Sequence, residues 1–241
     1  MNYKQNLHTH STFCDGADIA EEMIVEAIKK GFDSIGFSGH SYMHYSPDHS
    51  MSLEGTDAYK SEIARLKEKY KDSIKVFCGL EFDMYSQIDL SGYDYLIGAV
   101  HYLLYGNEFV GFDRRQDVVA DVINRYYGGD GMKYAKAYYN ALSNLPQYGK
   151  FDIVAHFDLI TKRDHIVSDE SWRAIRYDAM WQPPMEHDLQ GFRKYRVAGA
   201  NVGYDARKAI DFSKSVDSSA WPVAVMVERE KSDWGEFVER P

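Results

Sequence analysis

In the run Leu7-His8-Thr9-His10-Ser11-Thr12-Phe13-Cys14-Asp15, two imidazoles stand two positions apart and a carboxylate follows five residues later. On an extended strand, residues i and i+2 point to one face, so His8 and His10 can grip the same ion. A turn after Thr12 would return Asp15 to them, and nitrogen and oxygen donors in this mixture suit zinc, manganese or iron. A His-x-His pair alone is a weak signal, because paired histidines also occur on exposed strands. Four further donors of the same kind, His40, Glu81, His101 and His156, each close a short apolar segment. The chemistry such a set serves is hydrolysis by a metal-activated water.

Positioning those residues requires strands that end where they stand. Residues 6–10, 34–38, 75–80, 93–100 and 153–155 read as strands, and 19–30, 59–70 and 132–145 as helices. In the first helix Met23, Ile24, Ala27 and Ile28 form one apolar stripe, Glu21, Glu22 and Glu26 favour its N-terminal half, and Lys29-Lys30-Gly31 stops it. Strands alternating with helices predict an α/β fold with a parallel sheet or barrel, whose active groups gather at the carboxyl ends of the strands.

Seven donors, His8, His10, Asp15, His40, Glu81, His101 and His156, exceed what one tetrahedral ion needs, so two or three ions sharing a bridging carboxylate are expected. Glu81 is the expected bridge, and Asp83 is expected to orient a histidine from outside the donor set. Cys14 and Cys78 lie beside candidate ligands and are expected to be small buried packing residues.

Composition narrows the function. A formal net charge of -9 argues against nucleic acid as the partner, and 44% hydrophobic residues in 241 are ample for the core of one domain spanning 1–241. No apolar run has the length of a membrane span, and with two cysteines the cytoplasm is the expected compartment. A small anionic substrate would then need metal or a few placed Arg and Lys. Lys162 and Arg163, just past His156, are candidates to balance its charge, with Arg114 and Arg115 next. Tyr42, with His44, Tyr45 and His49 in the same stretch, is a candidate to contact the organic part. Tyr126-Tyr127 and Tyr138-Tyr139 read as helical packing residues, and Gly128-Gly129-Asp130-Gly131 as a turn without the Lys-Ser or Lys-Thr of a phosphate loop.

Five segments carry a more specific resemblance: His-Thr-His-Ser-Thr-Phe-Cys-Asp at 8–15, Gly-Phe-Ser-Gly-His-Ser at 36–41, Gly-Leu-Glu-Phe-Asp at 79–83, Gly-Ala-Val-His-Tyr-Leu at 98–103 and Ala-His-Phe-Asp-Leu at 155–159. Together they make residues 1–165 resemble the PHP (polymerase and histidinol phosphatase) metal-dependent phosphoesterases, in their histidinol-phosphatase branch. The resemblance implies a distorted (β/α)7 barrel with a trinuclear metal site at its carboxyl face, and hydrolysis of L-histidinol phosphate in histidine biosynthesis. It also implies that His8, His10 and Glu81 hold one ion, Asp15 and His40 a second, and Glu81, His101 and His156 a third, with Asp15, His40 and Glu81 closest to the catalytic steps.

Residues 166–241 depart from that pattern. The family's last motif, Asp-x-His, is absent, and its nearest echo is Tyr204-Asp205-Ala206-Arg207, in which Asp205 is a replacement ligand candidate but Arg207, permanently charged, is not. Residues 196–203 read as a poor buried strand and 222–227 as a better one. The tail is expected to be a divergent or altered ending that leaves the barrel incomplete at its C-terminal end, a state that pairing into a homo-oligomer would remedy. Three functions stay open: a histidinol-phosphate phosphomonoesterase, a PHP nuclease or phosphodiesterase, and a metal-binding protein of weak or no activity.

Overall fold

The computed structural model describes residues 4–156, 159–160 and, for the backbone, 196–198. The chain forms two compact units, one containing the described residues up to Ile97 and the other beginning at Gly98. Lys162, Arg163, Asp205 and the 222–227 strand candidate lie outside the described residues.

In the first unit three strands run parallel in the order β1 (Gln5–Asn6), β2 (Ser34–Phe37), β3 (Lys75–Asp83), with Gln5 opposite Ser34 and Phe37 opposite Cys78. Helix α1 (Ala20–Lys29) joins the first two strands and α2 (Leu53–Lys69) the next two. All four residues of β2 and the last six of β3 are buried, as expected of parallel strands covered on both faces. Helix α1 buries Ala20, Met23, Ile24 and Ala27, the predicted stripe with Ala20 in place of the half-buried Ile28, and ends at Gly31 with a positive φ of 69°. Helix α2 begins six residues earlier than its apolar pattern suggests. The Ser52 hydroxyl accepts the Gly55 N–H at 2.9 Å and caps the helix, and Thr56, Tyr59, Ile63 and Leu66 form its buried face.

Two tyrosines stitch these strands together. Tyr59 donates its hydroxyl to the carbonyls of Phe37 and Gly79 at 2.7 and 2.8 Å, and Tyr95 donates to Leu7 at 2.5 Å and Phe37 at 3.2 Å. Both hydroxyls are pushed far above their ordinary pKa by burial, so they stay protonated donors. The ring of Tyr95 lies against the backbone of residues 36 and 79, and a Cβ at either position would overlap it, which is why both are glycine.

Strand β4 (Tyr95–Ala99) leads into the second unit. There β5 (Tyr102–Tyr105) and β6 (Glu108–Gly111) form an antiparallel hairpin, followed by α3 (Gln116–Tyr127), α4 (Gly131–Asn144) and β7 (Ile153–Ala155). The Gly128–Gly131 stretch is the predicted turn: Gly128 closes α3 in the left-handed region, and the Asp130 carboxylate caps α4 by accepting the N–H groups of Met132 and Lys133. Tyr138 and Tyr139 are buried as packing residues. Arg196–Ala198, expected to be a poor strand, forms β8 and pairs in parallel with β7. The ladder is made by backbone groups, so an available neighbouring strand outweighs a weak apolar pattern.

Candidate metal centre

The donors of the first unit converge on one carboxylate. Glu81 lies inside β3, because that strand runs on to Asp83 and does not stop at Leu80 as expected; its side chain is only 1% exposed. Three imidazoles surround it: His8 Nε2 at 3.2 Å from Oε1, His10 Nε2 at 3.3 Å and His40 Nδ1 at 3.0 Å from Oε2.

Backbone pairing explains the convergence. His40 and Glu81 form an isolated parallel bridge beyond β2: the Glu81 N–H donates to the Gly39 carbonyl at 3.1 Å and the Ser41 N–H to the Glu81 carbonyl at 2.9 Å. His8 and His10 lie past the end of β1, which is shorter than the predicted 6–10 strand, yet the segment stays extended and aligned because Ser38 N–H donates to the Thr9 carbonyl at 2.9 Å and the Thr9 hydroxyl to the Gly36 carbonyl at 2.7 Å. Thr9 thus turns inward to β2 while its two neighbours turn to Glu81. The predicted turn forms after Ser11, whose carbonyl accepts the N–H groups of Cys14 and Gly16. It carries Asp15 back to the cluster, with its Oδ1 at 3.5 Å from His10 Nδ1 and 3.8 Å from His40 Nε2.

This donor set fits a divalent ion. Ligands about 2.0–2.2 Å from a common ion lie roughly 3–3.5 Å from one another at tetrahedral or octahedral angles, and the three imidazole–carboxylate separations of 3.0–3.3 Å fall in that range. A carboxylate this buried also needs compensating positive charge. His10, His40 and Glu81 offer donor atoms within 4.8 Å of one another, as do His10, Cys14 and Asp15. Burial pushes the His10 ring down, but the Cys14 thiol and Glu81 beside it more than offset that and hold it well above its ordinary pKa.

In the second unit, His101 and His156 face each other with their Nε2 atoms 3.1 Å apart and their rings 4.7 Å between centroids. The Phe112 N–H anchors the His101 carbonyl at 2.8 Å, and the Tyr138 hydroxyl anchors that of His156 at 3.1 Å.

Asp83, expected to steady a histidine, accepts the Tyr45 hydroxyl and the Tyr85 N–H, which ties the loop after His40 to the end of β3. Ser86 adds a second tie by donating its hydroxyl to the Tyr42 carbonyl; Tyr42 is half-buried, and His44 and His49 are exposed. Arg115 is a surface residue paired with Asp117, while Arg114 reaches the Tyr102 hydroxyl at 3.3 Å. Cys78 is the expected packing residue, its thiol pushed up to about 11 by burial. Cys14 is not: it is only half-buried, and its Sγ lies 3.4 Å from His10 Nδ1. A small residue immediately before a candidate ligand was the available sign.

Among the described residues no helix is long and apolar enough to cross a membrane. Residues 6–181 match the PHP domain family model. The histidinol-phosphatase of Bacillus subtilis is 26% identical over 66% of this chain and 67% of its own, and a Deinococcus radiodurans protein named "Probable histidinol-phosphatase" is 28% identical over 78% and 74%. Two crystal structures share the fold: HisK of Listeria monocytogenes (TM-score 0.66, 16% identity, 93% of both chains) and the histidinol phosphate phosphatase of Lactococcus lactis in complex with zinc, L-histidinol and phosphate (TM-score 0.62, 17% identity, 96% of this chain and 88% of that one). With histidines and acids converging on one buried carboxylate, on an α/β frame shared with those structures, and with residues 6–181 matched by the family model, the chain belongs to the PHP domain family.

Proposed function

We propose that this protein is a metal-dependent phosphomonoesterase that hydrolyses L-histidinol phosphate. The observation that carries the reading is the Glu81 carboxylate, 1% exposed and met by three imidazole nitrogens at 3.0–3.3 Å. The names of the relatives support the substrate, as does the L-histidinol and phosphate bound to the Lactococcus lactis structure.

In this reading His8, His10, His40, Asp15 and Glu81 hold divalent ions, zinc, manganese or iron, two or three per chain with His101 and His156 as further nitrogen donors. Such ions supply Lewis acidity, lowering the pKa of water and drawing in phosphoryl oxygens. The protein's own groups do the rest. The Glu81 carboxylate would balance part of the cationic charge, and its two oxygens set the spacing between the imidazoles. Asp15, at 34% exposure, is the open edge of the cluster. The leaving alkoxide needs a proton, and Asp15 and His40 are the candidates among the described residues to deliver it, directly or through a water they orient. Lys162 and Arg163 are the proposed counter-charges for the phosphate. An imidazole-bearing alcohol would meet the loop anchored by Tyr45 and Ser86, with Tyr42 against the ring.

The test is metal content per purified chain, with phosphate release from L-histidinol phosphate assayed beside a panel of other monoesters and single-stranded DNA. Two or three ions with preferential release from L-histidinol phosphate is the expected result. Equal turnover of unrelated monoesters would remove the substrate, cleavage of DNA would favour the nuclease, and bound metal without turnover would leave a binding protein.

A further inference from the structure

We infer that Cys14 is a positioning residue for His10: its thiol accepts the Nδ1 proton of that ring and holds Nε2 on the ion side. This rests on the reading that the cluster around Glu81 holds metal.

The argument starts from the two nitrogens of one imidazole. His10 Nε2 points at Glu81 Oε2, 3.3 Å away, and is therefore the nitrogen available to an ion at that carboxylate. A ring that ligates through Nε2 carries its proton on Nδ1, and that proton needs an acceptor to fix the tautomer and the ring plane. Two atoms stand there, Cys14 Sγ at 3.4 Å and Asp15 Oδ1 at 3.5 Å. Asp15 also faces His40 Nε2, and at 34% exposure it is open to water, so its lone pairs are contested. Cys14 is placed by the backbone: its N–H donates to the Ser11 carbonyl at 3.0 Å, a bond internal to the turn that leaves the side chain aimed back at His10.

The space for the sulfur is shaped too. A Cβ on residue 39 would come within 3.3 Å of Cys14 Sγ, tighter than an ordinary contact, and residue 39 is glycine. The thiol is therefore seated between the ring of one candidate ligand, His10, and the backbone immediately before another, His40. Cys78, equally small, is desolvated by burial and has the Tyr59 hydroxyl as its side-chain partner.

Loss of an outer partner of a ligating histidine typically weakens metal binding 10–100-fold, and sulfur is a weak acceptor, so about 10-fold is expected here. Zinc-loaded chain is challenged with a chelator, and zinc release is followed for the native chain and for Cys14→Ala, with the unfolding midpoint of each metal-free chain recorded beside it. Long-range nitrogen–proton NMR of the zinc-loaded native chain identifies which His10 nitrogen carries the proton. The expected result is a protonated Nδ1 on His10 and about 10-fold faster zinc release from Cys14→Ala with an unchanged metal-free midpoint. Zinc on Nδ1, release at the native rate, or faster release fully matched by a lower metal-free midpoint would each overturn the inference. A native chain that binds no zinc would instead overturn the metal reading beneath it.

Discussion

The two units present their metal-type donors in different ways. In the first, three imidazole nitrogens lie within 3.0–3.3 Å of the oxygens of a single buried carboxylate. In the second, two imidazoles face each other across 3.1 Å, each anchored through its backbone carbonyl. A carboxylate brings a full negative charge into a region of low dielectric and makes a cation there favourable before any nitrogen contributes. A pair of imidazoles brings directed nitrogens without a carboxylate's fixed negative charge, and at that separation the two nitrogens either share a proton or share a cation. If the proposed ions bind, Glu81 is expected to contribute most to how strongly the first unit holds them, and the His101–His156 pair to offer nitrogen donors only.

The largest expected effect follows from that division. Glu81→Gln keeps the shape of the side chain and removes its charge, so phosphatase activity should fall below detection and more than one ion per chain should be lost, as measured by metal analysis and phosphate release. His156→Asn should cost about one ion and leave the rest bound. A His156→Asn chain stripped of all metal, or a Glu81→Gln chain with its full complement, would show that the two units do not divide the work in this way.

A smaller effect concerns the scaffold beneath the charged cluster. Gly79→Ala drives a methyl group into the Tyr95 ring, whose hydroxyl holds Leu7 and Phe37. Overpacking of this kind costs about 3 kcal/mol, read as a lowered midpoint in denaturant. Unchanged stability would mean that the ring moves freely and does not hold the strands that carry His8, His40 and Glu81.

The smallest effect lies on the surface of the first unit. Glu21 is held down at about 2, chiefly by the hydrogen bond from Lys69 and then by those from Arg65 and Tyr70. Because the folded pKa lies below the ordinary 4.5, the network stabilises the fold above pH 4.5, and the contribution fades as acid takes the carboxylate through about 2. Solvent screens these groups, so Glu21→Gln should lower the unfolding midpoint slightly at neutral pH and not at all near pH 2, with less difference in high salt. A constant difference across that range would assign the effect to packing.

Much of the metal centre was legible as residue types at spacings. His-x-His with a later Asp, and a histidine or glutamate closing an apolar segment, are local patterns, and His8, His10, Asp15, His40 and Glu81 do come together. The stripe of α1 and the 128–131 turn were legible for the same reason, since periodicity and turn chemistry act over a few residues. The β5–β6 hairpin and α3 carry local signs of the same kind, a Gly106-Asn107 turn and a Val119-Val122-Ile123 stripe.

The sequence by itself determined which groups could bind metal and the short-range elements that bear them, because those depend on side-chain chemistry and on backbone preferences within one turn or strand. Only the tertiary structure decided that Glu81 sits within its strand, that Asp83 accepts the Tyr45 hydroxyl, and that Cys14 faces a histidine while Cys78 is buried beside Tyr59. Each of those outcomes depends on the parallel register of β1, β2 and β3, which joins residues about 30 and about 40 positions apart through backbone hydrogen bonds that no local pattern encodes.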